Sequence, residues 1–216
     1  GTGYVGLVSG TCFSDIGNNV TCLDIDESRI SGLKDSEVPF YEPGLSELIK
    51  KNLNKGNLHF SSSYEESLSS CDVIFICVGT PENADGSSNL GYVKQAVDSI
   101  AEVFHSQEKT LISFIKSTVP PGTCKKIQSM FDERLKNSKS EVLVASNPEF
   151  LKEGAAIEDF MRPDRIIVGS DLSSVEEKAK ILYRPINWKS DRLKIVSIES
   201  AELIKYSSNA FLATKI

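Results

Sequence analysis

A glycine-rich turn at the start of the chain constrains the fold more than any other stretch. Gly1, Gly3 and Gly6 have the G-x-G-x-x-G spacing, which lets a backbone wrap closely around a pyrophosphate at the N-terminus of a helix. An apolar run with helical spacing follows, and residues 20–24 then resemble a buried strand that ends in Asp24, 18 residues after Gly6. Turn, helix, strand and carboxylate in this order predict a dinucleotide-binding unit. The alternative is a structural glycine turn with a hydrated aspartate.

Strands and helices alternate along the rest of the chain. Apolar runs typical of buried parallel strands are at residues 58–60, 72–78, 111–115, 142–145, 165–168 and 193–197. Helical spacing or helix-start signals are at residues 26–34, 43–55, 64–70, 90–104, 120–136, 173–183 and 201–216. This alternation predicts an α/β fold, a doubly wound parallel sheet over residues 1–197, followed from residue 198 by the start of a long connecting helix.

In a doubly wound sheet, ligands bind beyond the carboxyl ends of the strands. The segments predicted at these ends are residues 1–6, Asp24, residues 78–81, residues 116–121 and residues 147–154. We therefore expect them to meet around one ligand. Residues 78–81 and 117–122 are small, hydroxylated or proline, so they offer hydrogen bonds without blocking a flat ring, although structural loops have the same composition.

Several side chains in these segments could carry chemistry. Asp24 is placed to accept hydrogen bonds from the adenosine ribose, and its charge would repel a 2′-phosphate, so it favours NAD over NADP. Arg29 either reaches the same ribose or lies on a hydrated helix face. Glu149 and Glu153 follow a strand beside Pro148, where a carboxylate can act as a general base, position water or simply cap a loop.

Two residues of the last predicted helix form a further candidate pair. Lys205 and Asn209 are four residues apart, so they share one helix face. An ammonium and an amide on one face could hold a single substrate oxygen. An exposed pair without any role is the alternative reading.

Together these motifs resemble the UDP-glucose/GDP-mannose dehydrogenase family. The matching stretches run along the chain in order at residues 1–7, 41–45, 78–81, 85–90, 117–123, 147–154, 163–169 and 201–209. The resemblance implies an enzyme that oxidises the primary alcohol of a nucleotide sugar to the acid in two NAD-dependent steps. Residues 41–44 and 150–154 look more like the branch that uses UDP-glucose. GDP-mannose or a UDP-N-acetylhexosamine stays open as the substrate, as does a non-catalytic dinucleotide-binding module.

The resemblance also implies roles for individual residues. Those expected to contact NAD are Gly1, Gly3, Tyr4, Val5, Gly6, Asp24, Arg29, Val78, Gly79, Thr80, Ser117, Thr118 and Glu153. Those expected to line the nucleotide-sugar site are Glu149, Phe150, Leu151, Lys152, Glu153, Lys205 and Asn209. A carboxylate, Glu149 or Glu153, would transfer protons during thioester hydrolysis, and Thr118 would help to position water. Lys205 and Asn209 would stabilise the alkoxide and oxyanion states.

The cysteines bear on both the compartment and the reaction. The chain has five, an odd number without a C-x-x-C pair, which favours a reducing, cytoplasmic location over a disulfide framework. None of them matches the glycine-rich context of the family's nucleophilic cysteine, and we interpret Cys124 as a helix-packing thiol. Because the turn at Gly1 also needs a preceding strand, we expect a piece trimmed at both ends that binds NAD weakly and does not turn over.

Charge and composition limit the partners. The formal net charge of -6 and the absence of a long apolar run favour neither a nucleic-acid surface nor a membrane span. With only two histidines, we expect no histidine-rich metal site. The last helix is long and commonly dimerises in the family that the chain resembles, so we expect a homodimer.

Overall fold

The computed structural model describes residues 1–187 and 191–215, which form two compact units. The first unit contains Gly1–Ser70 and Phe150–Asp164, and the second contains Cys71–Glu149 and the chain from Arg165 onward. The chain thus passes from the first unit to the second after Ser70, returns at Phe150 and leaves again after Asp164.

Helices and strands alternate through both units. In chain order they are α1 (Tyr4–Asp15), β1 (Val20–Leu23), α2 (Glu27–Lys34), α3 (Leu45–Lys55), β2 (Leu58–Ser61), α4 (Tyr64–Leu68), β3 (Val73–Ile76), α5 (Gly91–Phe104), β4 (Thr110–Ile115), α6 (Thr123–Leu135), β5 (Glu141–Ser146), α7 (Ala156–Met161), β6 (Ile166–Gly169), α8 (Ser173–Asn187), β7 (Leu193–Val196) and α9 (Ile198–Ala213). No helix among the described residues is long and apolar enough to cross a membrane.

The first unit is built around α1 and a parallel strand pair. Strands β1 and β2 pair from Val20↔Leu58 to Leu23↔Ser61, and α1 packs against β1, α3 and α7. The close approach of α1 to β1 depends on Gly10, because a Cβ built there would lie 2.4 Å from the Sγ of Cys22. Because most of α1 from Leu7 to Ser14 is buried, these contacts fix the helix and the glycine turn that leads into it.

The second unit contains a five-stranded sheet in the order β3-β4-β5-β6-β7. The pairs β3–β4, β4–β5 and β6–β7 are parallel, and β5 meets β6 in an antiparallel contact at Ser146↔Gly169. Helix α6 packs on α5 and β5, while α9 contacts β5 and β6. Phe114, Phe131 and Phe104 are fully buried in this unit.

These units confirm the alternating α/β fold with parallel strands. The antiparallel contact between β5 and β6 departs from an all-parallel sheet, and the other differences are at helix boundaries. The predicted helix at 43–55 begins at Leu45, because Gly44 has a φ of 77°, which a helical residue cannot adopt. The helix predicted from residue 120 begins at Thr123 for the same reason, since Gly122 has a φ of 87°. Both glycines therefore cap helices that we expected to start earlier.

Two further differences concern the end of the chain. The connection between β5 and β6, for which no helix was predicted, contains the short helix α7. Its cap residue Ala155 makes no side-chain hydrogen bond, so no capping residue marks the start of this helix. Helix α9 begins at Ile198 rather than residue 201, because the Ser197 hydroxyl accepts a hydrogen bond from the Ser200 amide. Ile216, the last residue of the predicted helix, lies outside the described residues.

Candidate functional site

The glycine turn of the first unit is open in front of the first turn of α1. Gly3 is the cap residue of α1 and has no side chain to satisfy the first helix amides. A Cβ built at Gly3 would meet no atom within 4 Å, so packing inside the protein does not require glycine here. Open space and uncapped amides, followed by Tyr4, Val5 and Gly6 in the first turn, fit a bound phosphate.

Asp24, directly after β1, is held by the glycine turn itself. Its Oδ2 atom accepts hydrogen bonds from the Thr2 amide at 2.6 Å and the Thr2 hydroxyl at 2.8 Å. Its Oδ1 atom accepts one from the Asp26 amide at 3.1 Å. Burial alone would raise the pKa of Asp24, but these hydrogen bonds outweigh it and lower the pKa. The carboxylate is therefore ionised and pre-oriented beside the turn.

Arg29 lies beside Asp24 rather than on a remote helix face. Its Nη1 atom is 3.5 Å from Asp24 Oδ2, and its Nε atom is 3.9 Å from Asp26 Oδ2. The side chain is 37% exposed, so the contact is a weak one in water. Arg29 can therefore turn toward a ribose without losing a buried ion pair.

A buried carboxylate, Glu42, ties the glycine turn to the loop before α7. Glu42 accepts a hydrogen bond from the Tyr4 hydroxyl at 2.5 Å and from the amides of Gly154 and Ala156, both at 2.8 Å. Burial alone would raise the pKa of Glu42, but these donors lower it. The pKa of Tyr4 is raised, first by burial and then by its hydrogen bond to Glu42 and the charge of Glu42. One side chain thus orders the start of α1 and the turn that carries Glu153.

The predicted residues of that turn differ in exposure. Phe150 and Leu151 are half-buried, whereas Lys152 and Glu153 are exposed. The Lys152 ammonium lies 3.3 Å from Asp159 Oδ1, and its amide donates to Asp159 Oδ2 at 2.8 Å. Lys152 therefore forms an ion pair with Asp159, a residue of the same segment. Glu153 is the exposed carboxylate of the turn.

In the second unit, the loops after β3 and β4 are joined by hydrogen bonds. The Thr80 hydroxyl donates to the Thr118 carbonyl oxygen at 2.8 Å. The Ser117 hydroxyl donates to the Val78 carbonyl at 2.7 Å. Val78, Gly79, Thr80, Ser117 and Thr118 are thus brought together where two parallel neighbouring strands end.

The second unit also pairs a buried acid with a buried base. The Lys205 Nζ atom of α9 is 2.7 Å from the Oε1 atom of Glu149, and the two side chains are only 9% and 13% exposed. Because removing both charges from water costs desolvation energy, such a pair adds little net stability. Asn209 lies one turn further along α9 and is exposed.

A second buried network supports the strand end that leads to Glu149. The Asn147 Oδ1 atom accepts hydrogen bonds from Lys116 Nζ at 3.1 Å and from the Tyr183 hydroxyl at 2.5 Å. The Asn147 amide group donates to the Ile167 carbonyl at 2.8 Å. Burial lowers the pKa of Lys116, even though the neighbouring Cys77 and Glu149 favour its charged form.

Sequence reasoning missed the residues that hold the predicted ones in place. They are Thr2, which binds Asp24, Glu42, which binds Tyr4, Lys116 and Tyr183, which bind Asn147, and Glu202, which binds the start of α6. Glu42 and Glu202 stand inside stretches that matched the family, so the motif positions were a usable signal. Their partners are distant in sequence, and no spacing rule reveals them.

The comparisons with known proteins agree over the whole chain. Residues 1–187 match the family model described as the UDP-glucose/GDP-mannose dehydrogenase family, NAD binding domain. The UDP-glucose 6-dehydrogenase of Rhizobium meliloti (strain 1021) is 46% identical over 219 residues, covering 100% of this chain and 49% of that protein. UDP-glucose 6-dehydrogenase TuaD of Bacillus subtilis (strain 168) is 46% identical over 216 residues, covering 100% and 45%.

Solved structures of this family have the same fold. A UDP-glucose dehydrogenase from the hyperthermophilic archaeon Pyrobaculum islandicum matches with a TM-score of 0.94 at 37% identity. A ternary complex of GDP-mannose dehydrogenase from Pseudomonas aeruginosa matches with a TM-score of 0.92 at 29% identity. Each match covers 100% of this chain and 49% of the other, so the chain spans about half the length of its relatives. The chain belongs to the UDP-glucose/GDP-mannose dehydrogenase family and contains that family's NAD-binding domain.

Proposed function

We propose that the protein carrying this chain oxidises the C6 hydroxymethyl group of UDP-glucose to a carboxylate, with NAD as the oxidant. The observation that carries the proposal is the buried ion pair between Glu149 and Lys205. The choice of UDP-glucose rests on the 46% identity to UDP-glucose 6-dehydrogenases, against 29% to the GDP-mannose dehydrogenase structure.

The reaction needs a proton acceptor and a stabilised oxygen at each oxidation. NAD, when bound, supplies the acceptor for the hydride that leaves C6. Lys205 stabilises the alkoxide as the hydroxyl loses its proton, and Glu149, 2.7 Å away, is placed to exchange that proton. The aldehyde is oxidised as the thiohemiacetal of a protein thiol, and water then hydrolyses the resulting thioester and frees the thiol, so one alcohol yields one acid and two NADH.

The remaining residues of the proposed site act around this pair. Thr118 positions the water, Asn209 shares the oxyanion with Lys205, and Glu153 lies near the nicotinamide as a second carboxylate. Residues 149–153 line the sugar-nucleotide side. These assignments are supported by the match of each residue to the family's motifs.

The cofactor part of the proposal rests on the glycine turn and Asp24. The open space at Gly3 receives the pyrophosphate, Asp24 and Arg29 bind the ribose, and Val78, Gly79, Thr80 and Ser117 bind the nicotinamide half. Because Asp24 is ionised, it repels the 2′-phosphate of NADP. Calorimetric titration should therefore show NAD binding more tightly than NADP, and equal affinities would contradict the role of Asp24.

The proposed architecture assigns residues 1–197 to NAD binding and residues 198–216 to a connecting helix that forms a homodimer. Leu203, Phe211 and Leu212 of α9 are 54%, 61% and 57% exposed, as expected of a helix that is covered by a second copy. The odd number of cysteines and the nucleotide substrates favour the cytoplasm as the location.

The decisive experiment measures NADH formation by the protein that carries this chain, with UDP-glucose, GDP-mannose or UDP-N-acetylmannosamine. We expect two NADH per UDP-glucose and loss of turnover in Lys205→Met, while Lys126→Met, which changes an exposed lysine, stays active. Preference for another sugar would move the protein to that branch of the family. NAD binding without turnover of any of the three would identify a non-catalytic module.

A further inference from the structure

A buried carboxylate on α9 has no part in the chemistry proposed above. Glu202 is only 2% exposed. Its Oε2 atom accepts a hydrogen bond from the Gly122 amide at 2.6 Å, and its Oε1 atom accepts one from the Cys124 amide at 2.7 Å. Both oxygens of the carboxylate are therefore committed to the first amides of α6.

The start of α6 depends on this side chain because the helix cannot cap itself. The first amides of a helix have no intrahelical partner, and a serine or aspartate at the cap position usually supplies one. Here the cap residue is Gly122, whose φ of 87° favours glycine over a residue with a capping side chain. Glu202 supplies the missing acceptor from 80 residues away, and its negative charge suits the helix N-terminus.

The position of Glu202 relates the cap to the proposed reaction. Lys205 and Asn209 follow Glu202 by three and seven residues, so all three share one face of α9. Thr118 lies four residues before Gly122, in the loop that leads directly to the capped amides. The carboxylate therefore joins the loop of Thr118 to the helix of Lys205.

Contacts with β6 and with α6 hold the first turns of α9, and Glu202 makes a buried polar one. A Cβ built at Gly169 of β6 would lie 2.7 Å from the Cβ of Ala201, so the strand and the helix touch there. Glu202, the next residue, supplies a buried contact with α6, whereas the contact of Glu199 with Lys125 of α6 is exposed. Beyond Tyr206 no described residue of α9 is buried, and Ser208 is the one that is half-buried.

We propose that Glu202 is a positioning residue: by capping α6, it sets the rotation and height of α9 so that Lys205 faces Glu149 at the right distance from Thr118. This inference rests on the proposed function, because it assigns a role in that reaction. It predicts an effect on turnover that is separate from any effect on cofactor binding.

The test replaces Glu202 in the protein that carries this chain and measures steady-state kinetics with NAD and UDP-glucose. Glu202→Gln keeps the size of the side chain but turns an amide NH₂ toward one of the two amide donors. We expect kcat to fall at least about tenfold, since small misplacements of reacting groups are costly. The KM for NAD should change less than kcat, because the glycine turn and Asp24 belong to the first unit and are unchanged. Hydrogen exchange of peptides covering residues 122–124 and 203–209 should accelerate together.

Glu199→Gln is the matched control. Glu199 lies one turn earlier on α9 and also pairs with α6, through an exposed contact with Lys125, so it reports what any loss of contact between these helices does. We expect its kcat to equal that of the unchanged protein. Glu202→Asp is a second variant in case the glutamine protein does not fold, because it keeps the charge but draws the carboxylate back by about 1.5 Å; its kcat should also fall.

Two results would overturn the proposal, and they are distinguishable. A folded Glu202→Gln or Glu202→Asp protein with unchanged kcat and only a lower melting temperature would show that Glu202 is a structural cap alone. Absence of nucleotide-sugar oxidation by the unchanged protein would instead remove the proposed function, and the positioning role in that reaction with it.

Discussion

At the scale of single residues, the hydrogen bonds around Asp24 lead to a prediction about cofactor affinity. Thr2 donates to Asp24 through both its amide and its hydroxyl. Thr2→Val keeps the shape of the side chain but removes the hydroxyl donor, so the carboxylate loses part of its orientation. Loss of one such hydrogen bond costs about 1 kcal/mol, and the dissociation constant for NAD should rise about fivefold by calorimetric titration.

Ser28→Ala is the control for that change. Ser28 also donates its hydroxyl to an aspartate, Asp26, but on the exposed start of α2. Its removal should leave NAD affinity unchanged. If Thr2→Val binds NAD as tightly as the unchanged chain, the orientation of Asp24 by Thr2 does not matter for the cofactor.

The buried ammonium of Lys116 predicts an unusual dependence of stability on pH. Burial lowers the native pKa of Lys116, whereas the unfolded chain has the ordinary lysine pKa of about 10.4. Between the two pKa values the unfolded state binds more protons than the native state. The destabilisation caused by burying the charged Lys116 is therefore complete below the native pKa and vanishes above the unfolded pKa. Lys116→Met should therefore raise the free energy of unfolding most at neutral pH, and the gain should shrink as the pH approaches about 10.

Urea denaturation of both proteins across this pH range measures the difference. The Asn147 Oδ1 atom keeps the hydrogen bond from Tyr183 after the change, so the methionine leaves no acceptor unpaired. Lys126→Met, on the exposed side of α6, should give a difference that does not vary with pH. A constant difference for Lys116→Met as well would mean that the amine is not perturbed by burial.

At the scale of elements, Glu42 connects α1, the turn at residues 152–154 and the start of α7 in the first unit. In Glu42→Gln the new NH₂ group points at one of the amide donors, so a buried donor is left without an acceptor. This should lower the free energy of unfolding by about 1–3 kcal/mol. The native pKa of Glu42 is lowered, so the carboxylate's contribution is complete above the unfolded pKa of about 4.3 and is lost as the pH falls through the native value.

Thermal or urea unfolding at neutral and acidic pH checks this expectation. The free energy of unfolding of Glu42→Gln should lie furthest below that of the unchanged chain near neutral pH. The difference should shrink in acid. Glu47→Gln changes an exposed glutamate at the start of α3 and should have little effect. Equal stability of Glu42→Gln and the unchanged chain would show that the Tyr4–Glu42–Gly154 contacts do not stabilise the unit.

The elements also show what sequence alone can and cannot predict. The strands were predictable because a strand buried on both faces has a continuous apolar run, as in β4 and β5. Their order in the sheets was not predicted. Helix starts at Gly44 and Gly122 were misplaced because a glycine with positive φ looks, in sequence, like any other turn residue. The pairing of Glu149 with Lys205 was not predictable, since it depends on how α9 lies against the second unit's sheet.

At the scale of the whole molecule, the five cysteines lead to a prediction about the reacting thiol. Thiolates, not thiols, are the nucleophiles. Burial raises the pKa of Cys12 to about 12 and also raises the pKa values of Cys71, Cys77 and Cys124. Cys22 is 7% exposed. A thioester pathway in the protein that carries this chain would therefore use a thiol other than these five.

The double variant Cys77→Ser, Cys124→Ala tests this in the protein that carries this chain. Cys77 is chosen because it directly precedes the Val78 loop, and Cys124 because it follows the loop of Thr118. We expect UDP-glucose turnover within about threefold of the unchanged protein, and equal inactivation of both proteins by iodoacetamide, because the alkylated thiol is elsewhere. The 216-residue chain by itself should bind NAD yet form no NADH with UDP-glucose. Loss of turnover in a folded double variant that still binds NAD would instead place the nucleophile at Cys77 or Cys124.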